Sequence, residues 1–296
     1  MGLSSEGSIQ WKETESHMGL RHEEERQGYQ TEQTGSELEK GSEWTGSESI
    51  QREPPFVRAV SLNVNSLNKK TSIISEFITE NHLDVLFLTE TRLKLNTADD
   101  VLRDASPPNF SFFRHVSERT GRRGVAIQFS PVSHGRQIQF DNKETFECVV
   151  TVLKHDEWEE PVLSIDLYRP PPKTLITIRK FLKEFQELLN EFSQNYDNIL
   201  GTGDFNIWVD CDKKKYVKEF KQLLSDNGFG MHPNEPTFHR SNHTLDLVLF
   251  RNVEVPHGEV WDHHISDHKP VQFDLRPVPR DKRKKQDEDR KRLKKG

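Results

Sequence analysis

The chain has 296 residues, of which 32% are apolar and 30% are charged, and its formal net charge is −6 at pH 7. A membrane-spanning helix needs roughly 20 consecutive apolar residues, and no stretch approaches this length, so we do not expect the chain to span a membrane. Its two cysteines exclude a disulfide-stapled fold, and its N-terminus has no basic-then-apolar leader, so we expect a reduced, intracellular protein that is not secreted.

The polarity of the sequence divides the chain into three parts. Residues 1–54 carry 12 acidic and 5 basic residues and no apolar stretch, which predicts a disordered acidic extension, because too little apolar surface is available to offset chain entropy. Residues 277–296 carry 10 basic and 4 acidic residues, which predicts a basic disordered tail. Only residues 55–276 have regularly spaced apolar residues throughout. About 220 residues are enough for one sizeable core.

The charges of the two terminal segments nearly cancel, so the patterned part is itself mildly acidic. That balance argues against coating of nucleic acid by charge alone and suits clustered carboxylates that bind a metal ion. Residues 282–285, Lys-Arg-Lys-Lys, have the composition of a nuclear import signal, which predicts a nuclear protein, with the cytoplasm as the alternative. A solvated tail is the simpler interpretation of the same four residues.

The predicted elements alternate between strands and helices. Strands are predicted, in chain order, at residues 57–63, 84–90, 125–129, 146–153, 162–168, 198–202, 244–250 and 271–275. Helices with one apolar face are predicted around residues 73–78, 178–192 and 216–224. Residues 92–108 lack either pattern and predict a loop. Because some strand pairs have no helix between them, the sequence predicts an α/β fold with a mixed sheet.

Polar side chains stand where several predicted strands or loops end. Asp204 and Asn206 close an apolar run in Gly-Asp-Phe-Asn, and both supply the oxygen ligands that hard cations need; a turn is the alternative for these residue types. The other ends carry Asn63, Glu90, Tyr168, Asp267 and His268, and Asp246 lies inside a predicted strand. Each has a structural explanation alone, such as a turn cap or a core tyrosine. Because functional residues gather at strand ends in α/β sheets, their joint occurrence favours one assembled site.

Taken in order, these motifs resemble those of the endonuclease/exonuclease/phosphatase superfamily. The motifs are Leu-Asn63-Val-Asn65, Leu-Thr-Glu90-Thr, Tyr168-Arg-Pro-Pro, Gly-Asp204-Phe-Asn206, Leu-Asp246-Leu-Val and Ser-Asp267-His268. The resemblance spans residues 56–275, and its flanking residues are most similar to the apurinic-type endonuclease domain of vertebrate non-LTR retrotransposons. It implies a four-layered α/β sandwich, in which two mixed β-sheets pack face to face with helices outside.

The resemblance also implies hydrolysis of a phosphodiester bond with the help of a divalent ion. Glu90, Asn63 and Asp267 would hold Mg²⁺, with Mn²⁺ as the alternative ion. The implied catalytic roles are activation of water by Asp204, contacts to the phosphate from Asn206 and Tyr168, and donation to the phosphate by His268, which Asp246 orients.

These features together predict a metal-dependent DNA endonuclease that nicks one strand. A basic segment is expected to contact the DNA, with a solvated loop as the alternative; it comprises Arg114, Arg119, Arg122 and Arg123, together with Lys69 and Lys70. Two other functions stay open: a phosphoesterase acting on RNA, nucleotides or phosphorylated lipids, and a domesticated nucleic-acid-binding module without turnover. The sequence indicates no partner protein. Asn65 also stands where repair enzymes of the superfamily often have Asp.

Overall fold

The structure is a computed structural model that describes residues 54–283, apart from 117–122 and 173. The predicted acidic extension therefore lies outside the described residues except for Pro54, and so do residues 284–296 of the predicted basic tail. The described part of that tail contacts the domain, since Arg280 and Arg283 both pair with Glu160. Within the described residues, no helix has the length and apolar character needed to cross a membrane.

Two mixed sheets and four helices make up the described part of the chain. In chain order the elements are β1 (Val57–Asn63), α1 (Thr71–Glu80), β2 (Val85–Thr89), α2 (Ala98–Asp104), β3 (Ser111–His115), β4 (Val125–Phe129), β5 (Ser133–Ile138), β6 (Glu147–His155), β7 (Val162–Tyr168), α3 (Leu175–Ser193), β8 (Ile199–Asp204), α4 (Lys215–Asp226), β9 (Gly230–His232), β10 (Asp246–Arg251), β11 (Val253–Glu254), β12 (Gly258–Val260) and β13 (Val271–Pro277). One sheet has the strand order β11-β13-β1-β2-β4-β3, with β12 paired to β13, and the other has the order β5-β6-β7-β8-β10-β9.

Three apolar clusters separate four layers, which confirms the predicted sandwich. One cluster lies between α3, α4 and the second sheet, another between the two sheets, and a third between the first sheet and helices α1 and α2. The alternation of side chains along each strand produces this arrangement, because successive residues face opposite sides of a sheet. On β1, for example, Ala59 faces the other sheet and Val60 faces the helices. Strands buried on both faces therefore appear in the sequence as nearly continuous apolar runs.

The structure also has strands that were not predicted, namely β3, β5, β9, β11 and β12, and two further differences have local causes. Residues 98–104 form α2, where a loop was predicted; this helix has only seven residues, of which Ala98 and Leu102 are buried, too few to give a readable period. Asp246 is the first residue of β10 and not an interior one. The residues just before it, including Leu245, belong to a loop whose backbone bonds to the segment after β8, which delays the start of the strand.

The strand directions bring the predicted site residues to one rim of the sandwich. β1 and β2 are parallel neighbours in the first sheet, and β7 and β8 are parallel neighbours in the second, so their C-terminal ends share this rim. β13 and β10 run antiparallel to β1 and β8, which places their N-terminal ends there too.

Gly203 allows β8 to reach this rim beside β7. Its φ is +114°, and a Cβ atom added to it would lie 2.1 Å from the carbonyl oxygen of Leu167 and 3.0 Å from Oδ1 of Asp166. Residues with a side chain rarely adopt that φ, and a backbone oxygen cannot move away as a flexible side chain can. A glycine is thus required one residue before Asp204.

We expect Gly203→Ala to lower the free energy of unfolding by about 3 kcal/mol, because backbone strain and overpacking each cost about 1–3 kcal/mol. Urea denaturation followed by circular dichroism measures this. Gly201→Ala is the matched control on the same strand, since its added Cβ would lie 3.4 Å from Leu249 in ordinary contact. Equal midpoints for the two variants would contradict the requirement for glycine at 203.

Candidate active site

Three of the predicted site residues lie side by side across the second sheet. Asp204 at the end of β8 pairs with Tyr168 on its parallel neighbour β7 and with Asp246 on its antiparallel neighbour β10. Directly paired residues point to the same face of a sheet, and this face is turned toward the other sheet, as Leu200 and Val248 on the same strands show. The register alone therefore brings two carboxylates and a phenol together.

The Asp204 carboxylate is buried and held by amide donors from both sheets. Its Oδ2 accepts from Asn63 Nδ2 at 2.9 Å and from Asn206 Nδ2 at 3.0 Å, and its Oδ1 accepts from the Asn206 backbone N–H at 2.9 Å. Burial, followed by the charge of Asp246, raises the pKa of Asp204 to about 7, although His268 and these hydrogen bonds oppose the rise. A carboxylate with such a pKa can accept a proton from water near neutral pH.

His268 and Asp246 form a buried pair beside Asp204. The His268 Nδ1 lies 2.8 Å from Asp246 Oδ2, and the two residues are 6% and 1% exposed. Burial lowers the pKa of His268, but the charges of Asp246 and Asp204 outweigh this effect and raise it to about 10. The imidazole is therefore protonated at neutral pH, and because Nδ1 engages Asp246, its Nε2–H is the group that can donate to a substrate oxygen.

The turn before β13 fixes His268 and Asp267 against β1. Ser266 Oγ donates to the carbonyl of Asn63 at 2.5 Å and accepts from the His268 backbone N–H at 3.0 Å. Asn65 donates from its side chain to Asp267 Oδ1 at 2.8 Å and from its backbone to Asn63 Oδ1 at 3.0 Å. Asn65, noted in the sequence only as a departure from the family pattern, is thus the residue that links two predicted metal ligands.

The third predicted metal ligand, Glu90, pairs with two arginines. Its Oε2 accepts from Arg123 at 2.8 Å and from Arg92 at 3.0 Å, and its side chain is 12% exposed. Burial lowers the pKa of Arg123, but Glu90 and then Tyr168 and Asp267 outweigh this effect and raise it overall. Glu90, Asn63 and Asp267 offer only oxygen ligands with two negative charges, a set that fits Mg²⁺ or Mn²⁺.

The structure describes two arginines of the predicted basic segment, Arg114 and Arg123, and each has a different acidic partner. Arg114 pairs with Asp99 at 2.5 Å, Arg123 pairs with Glu90, and Arg119 and Arg122 lie outside the described residues. Lys70 is also engaged, since its Nζ donates to the carbonyl of Val64 at 2.6 Å. Only Arg123 of the described arginines in this segment reaches the predicted metal ligands.

Tyr168 is buried, and the residue after it has a role that the sequence did not indicate. Burial raises the pKa of Tyr168, so the phenol stays neutral and can donate. Arg169 is 1% exposed; it donates from Nε to the carbonyl of Phe205 and from Nη2 to that of Asn206, both at 2.5 Å. Its own carbonyl accepts from Asn206 Nδ2 at 2.7 Å. A buried arginine after a strand looks like a surface residue in a sequence, and its place beside Tyr168 was the only signal.

The fold and the site geometry agree with a comparison of the sequence with known families. Residues 60–268 match the Endonuclease/Exonuclease/phosphatase family. The chain belongs to this family. No curated protein sequence matches the chain significantly.

Several solved structures share the fold of this chain at low sequence identity. The chain is similar to the AP endonuclease LMAP from Leishmania major, with 16% identity, a TM-score of 0.61, and coverage of 75% of this chain and 88% of that one. It is also similar to the endonuclease domain of TRAS1, a telomere-specific non-LTR retrotransposon, with 14% identity, a TM-score of 0.57, and coverage of 76% and 100%. The human Nocturnin catalytic domain matches with 16% identity, a TM-score of 0.57, and coverage of 75% and 94%.

We expect Arg123→Ala to tighten Mg²⁺ binding by about threefold to fivefold, because a partly exposed ion pair that competes for Glu90 is worth up to about 1 kcal/mol. Isothermal titration calorimetry of the protein without substrate measures the dissociation constant. Arg114→Ala removes an arginine from the same segment that pairs with Asp99 and should leave the constant unchanged. Weaker Mg²⁺ binding by Arg123→Ala would show that Arg123 supports the ion and does not compete with it.

Proposed function

We propose that the chain is a Mg²⁺-dependent phosphodiesterase and, more narrowly, a DNA endonuclease that nicks one strand. The observation that carries the proposal is the pair of acid–base groups at one rim. Asp204, with a pKa of about 7, lies on the strand next to Asp246, which holds the protonated His268. A base and a cationic donor that meet in a buried site are what the hydrolysis of a phosphodiester requires.

The groups of this site divide the tasks of the proposed reaction among them. A Mg²⁺ ion held by Glu90, Asn63 and Asp267 would neutralise charge on the phosphate and on the leaving oxygen. Asp204 accepts the proton of the attacking water as the new oxygen–phosphorus bond forms and the bond to the leaving oxygen breaks. Asn63 and Asn206 keep the Asp204 carboxylate in place.

Hydrogen-bond donors of the site contact the phosphate in the proposed reaction. His268 donates from Nε2 to a nonbridging oxygen as negative charge develops, and the paired Asp246 keeps the imidazole in the orientation that allows this. Tyr168 lies on the same rim and is the neutral donor of the site, whereas the side-chain amide of Asn206 already donates to Asp204 and to the Arg169 carbonyl. Arg169 acts as a positioning residue, because it holds the carbonyl groups of Phe205 and Asn206.

DNA is the proposed substrate for two reasons. The sequence flanking the motifs is most similar to retrotransposon endonucleases, and the fold is similar to an AP endonuclease and to the endonuclease domain of TRAS1. The similarity to Nocturnin keeps other phosphoesters as the alternative. A binding module without turnover is disfavoured, because each of the eight predicted metal and catalytic residues is present in the chain.

We expect purified protein with Mg²⁺ to convert supercoiled plasmid into relaxed circles, and Asp204→Asn to slow this by about 100-fold or more, because the base is lost. Gel electrophoresis of timed samples measures the rate. Asp274→Asn is the matched control, since Asp274 lies on β13 in an exposed pair with Arg58 at 3.6 Å. Equal rates for Asp204→Asn and the wild type would refute the proposal.

The same protein and variant separate the alternative substrates. Plasmid, an abasic duplex oligonucleotide, single-stranded RNA, a dinucleotide phosphate and a phosphorylated lipid are compared at equal enzyme concentration. Cleavage of RNA or of a small phosphoester that depends on Asp204, with intact plasmid, would keep the phosphodiesterase and replace its substrate. Binding to duplex without cleavage of any substrate would favour the binding module.

We also propose that the protein is nuclear. Lys282 lies 3.8 Å from Glu254 and Arg283 pairs with Glu160, so an import test should spare these two residues of the basic stretch. We expect a fluorescent fusion of the full chain to concentrate in the nucleus and Lys284→Ala/Lys285→Ala to reduce the nuclear-to-cytoplasmic ratio. The same ratio in both fusions would contradict the role of this stretch.

A further inference from the structure

A second group of metal-ligating side chains lies outside the catalytic residues. Among the residues that the structure describes, two groups of three such side chains converge: Asp204, Asp246 and His268 in the site above, and Asp210, Cys211 and His243. The second group is the one that contains a thiol. Neither the family resemblance nor the proposed hydrolysis uses any of its three members.

The three ligand atoms of this second group face one another. His243 Nδ1 lies 2.6 Å from Asp210 Oδ2, and Cys211 Sγ lies 3.9 Å from the same nitrogen and 3.8 Å from the same oxygen. Typical zinc bond lengths in a tetrahedral arrangement place such ligand atoms about 3.4–3.6 Å apart. The thiol must therefore approach by a few tenths of an ångström, and the imidazole and carboxylate must separate by less than about 1 Å, distances that side-chain rotation covers.

Two loops hold these side chains in place without a metal ion. Residues 205–214 follow β8, and residues 233–245 precede β10. The backbone N–H of Thr244 donates to Asp210 Oδ1 at 3.2 Å, that of Val209 donates to the Thr244 carbonyl at 3.4 Å, and that of Phe205 donates to the Leu245 carbonyl at 3.0 Å. Because these bonds already join the loops, little ordering of the chain would oppose metal binding.

The orientation of His243 is fixed from a third side. The Trp208 ring stacks on the imidazole with a centroid distance of 4.1 Å and an angle of 17° between the ring planes. The Lys214 ammonium lies 3.7 Å from the Trp208 centroid and takes the other face of that ring, because the imidazole covers the first. Stacking of this kind leaves the edge of His243, and thus Nδ1, directed toward Asp210 and Cys211.

The composition of the group selects the kind of ion. A thiolate, an imidazole nitrogen and a carboxylate oxygen suit Zn²⁺, which is borderline soft, and do not suit Mg²⁺, which prefers oxygen ligands alone. Three protein ligands leave one tetrahedral position for water or another ligand, and the half-exposed Asp210 side chain leaves a path to solvent. The Glu90 site contains no sulfur or nitrogen ligand, so the two sites discriminate between ions by chemistry.

We propose that Asp210, Cys211 and His243 form a binding site for a thiophilic divalent ion of the Zn²⁺ class, separate from the Mg²⁺ site. Bound there, the ion replaces the hydrogen bond between Asp210 and His243 and releases the thiol proton of Cys211 to solvent. It links the loop that follows Asp204 and Asn206 to the loop that precedes Asp246. The site therefore clamps two segments that carry active-site residues without contacting the substrate.

Cobalt spectroscopy of the full-length protein tests this proposal, since Co²⁺ takes the place of Zn²⁺ and a thiolate ligand gives a charge-transfer band. Protein freed of metal by chelation and kept reduced is titrated with Co²⁺ and then with Zn²⁺. We expect a thiolate-to-cobalt band that one equivalent of Zn²⁺ removes. Cys211→Ser should abolish the band and weaken Zn²⁺ binding at least tenfold by calorimetry, and His243→Gln should weaken it similarly.

Two control variants make the result specific. Cys148 is the other cysteine of the chain and is buried in an apolar cluster, so Cys148→Ala should keep the band. Glu90→Gln alters the oxygen-only site and should keep it as well. The proposal fails if the wild-type protein gives no thiolate band, if the band survives in Cys211→Ser, or if that variant binds Zn²⁺ as tightly as the wild type. In those cases Asp210 and His243 are a hydrogen-bonded pair with a neighbouring thiol, and the proposed nuclease activity is unaffected.

Discussion

The hydrogen bond from Asn63 to Asp204 is the contact on which the site depends, because it joins the two sheets at their common rim. A carboxylate that is 1% exposed stays ionisable only if donors replace the water it has lost. Here one donor comes from β1 in the first sheet and two come from Asn206 just beyond β8. The basicity of Asp204 therefore depends on the packing of the two sheets, because a shift of one sheet against the other would change both.

Electrostatic balance explains how so many carboxylates share one rim. Burial is the main reason why the pKa of Asp204 rises, and the like charge of Asp246, its register neighbour, raises it further. The His268 imidazolium offsets the negative charge of Asp246, with which it pairs. The Arg123 guanidinium offsets the negative charge of Glu90. A phosphate would add further negative charge to this rim, and the divalent ion that we propose would offset it.

The sequence was informative about features that a local pattern of residue types reveals. Strands β1 and β7 begin and end at the predicted residues, because most of their positions carry buried apolar side chains. The residue types at the strand ends were also readable, since few structural reasons place so many carboxylates and amides there. The short α2 was missed because seven residues with two buried positions give no period.

Side-chain contacts between residues that are far apart in the sequence could not be predicted from it. Asn63 and Asp204 are 141 residues apart, and Arg123 is 33 residues from Glu90, so their contacts follow from sheet order and not from local pattern. The contact between Cys211 and His243 is of the same kind, because His243 belongs to a different loop, 32 residues later. In the basic segment, the two arginines that the structure describes, Arg114 and Arg123, are close in sequence but pair with different carboxylates.

The pairing of β1 with β13 has a consequence for how the domain is built into longer chains. Val57 and Leu275 are direct partners at the end of the sandwich opposite the active site, and Arg276 donates to the carbonyl of Pro54 at 2.9 Å. Both ends of the domain thus leave from the same pole, far from Asp204 along the strands. Domains with adjacent termini tolerate insertion into other proteins and circular permutation. This fold can accordingly be fused, inserted or reordered at that pole while its catalytic rim keeps the same geometry.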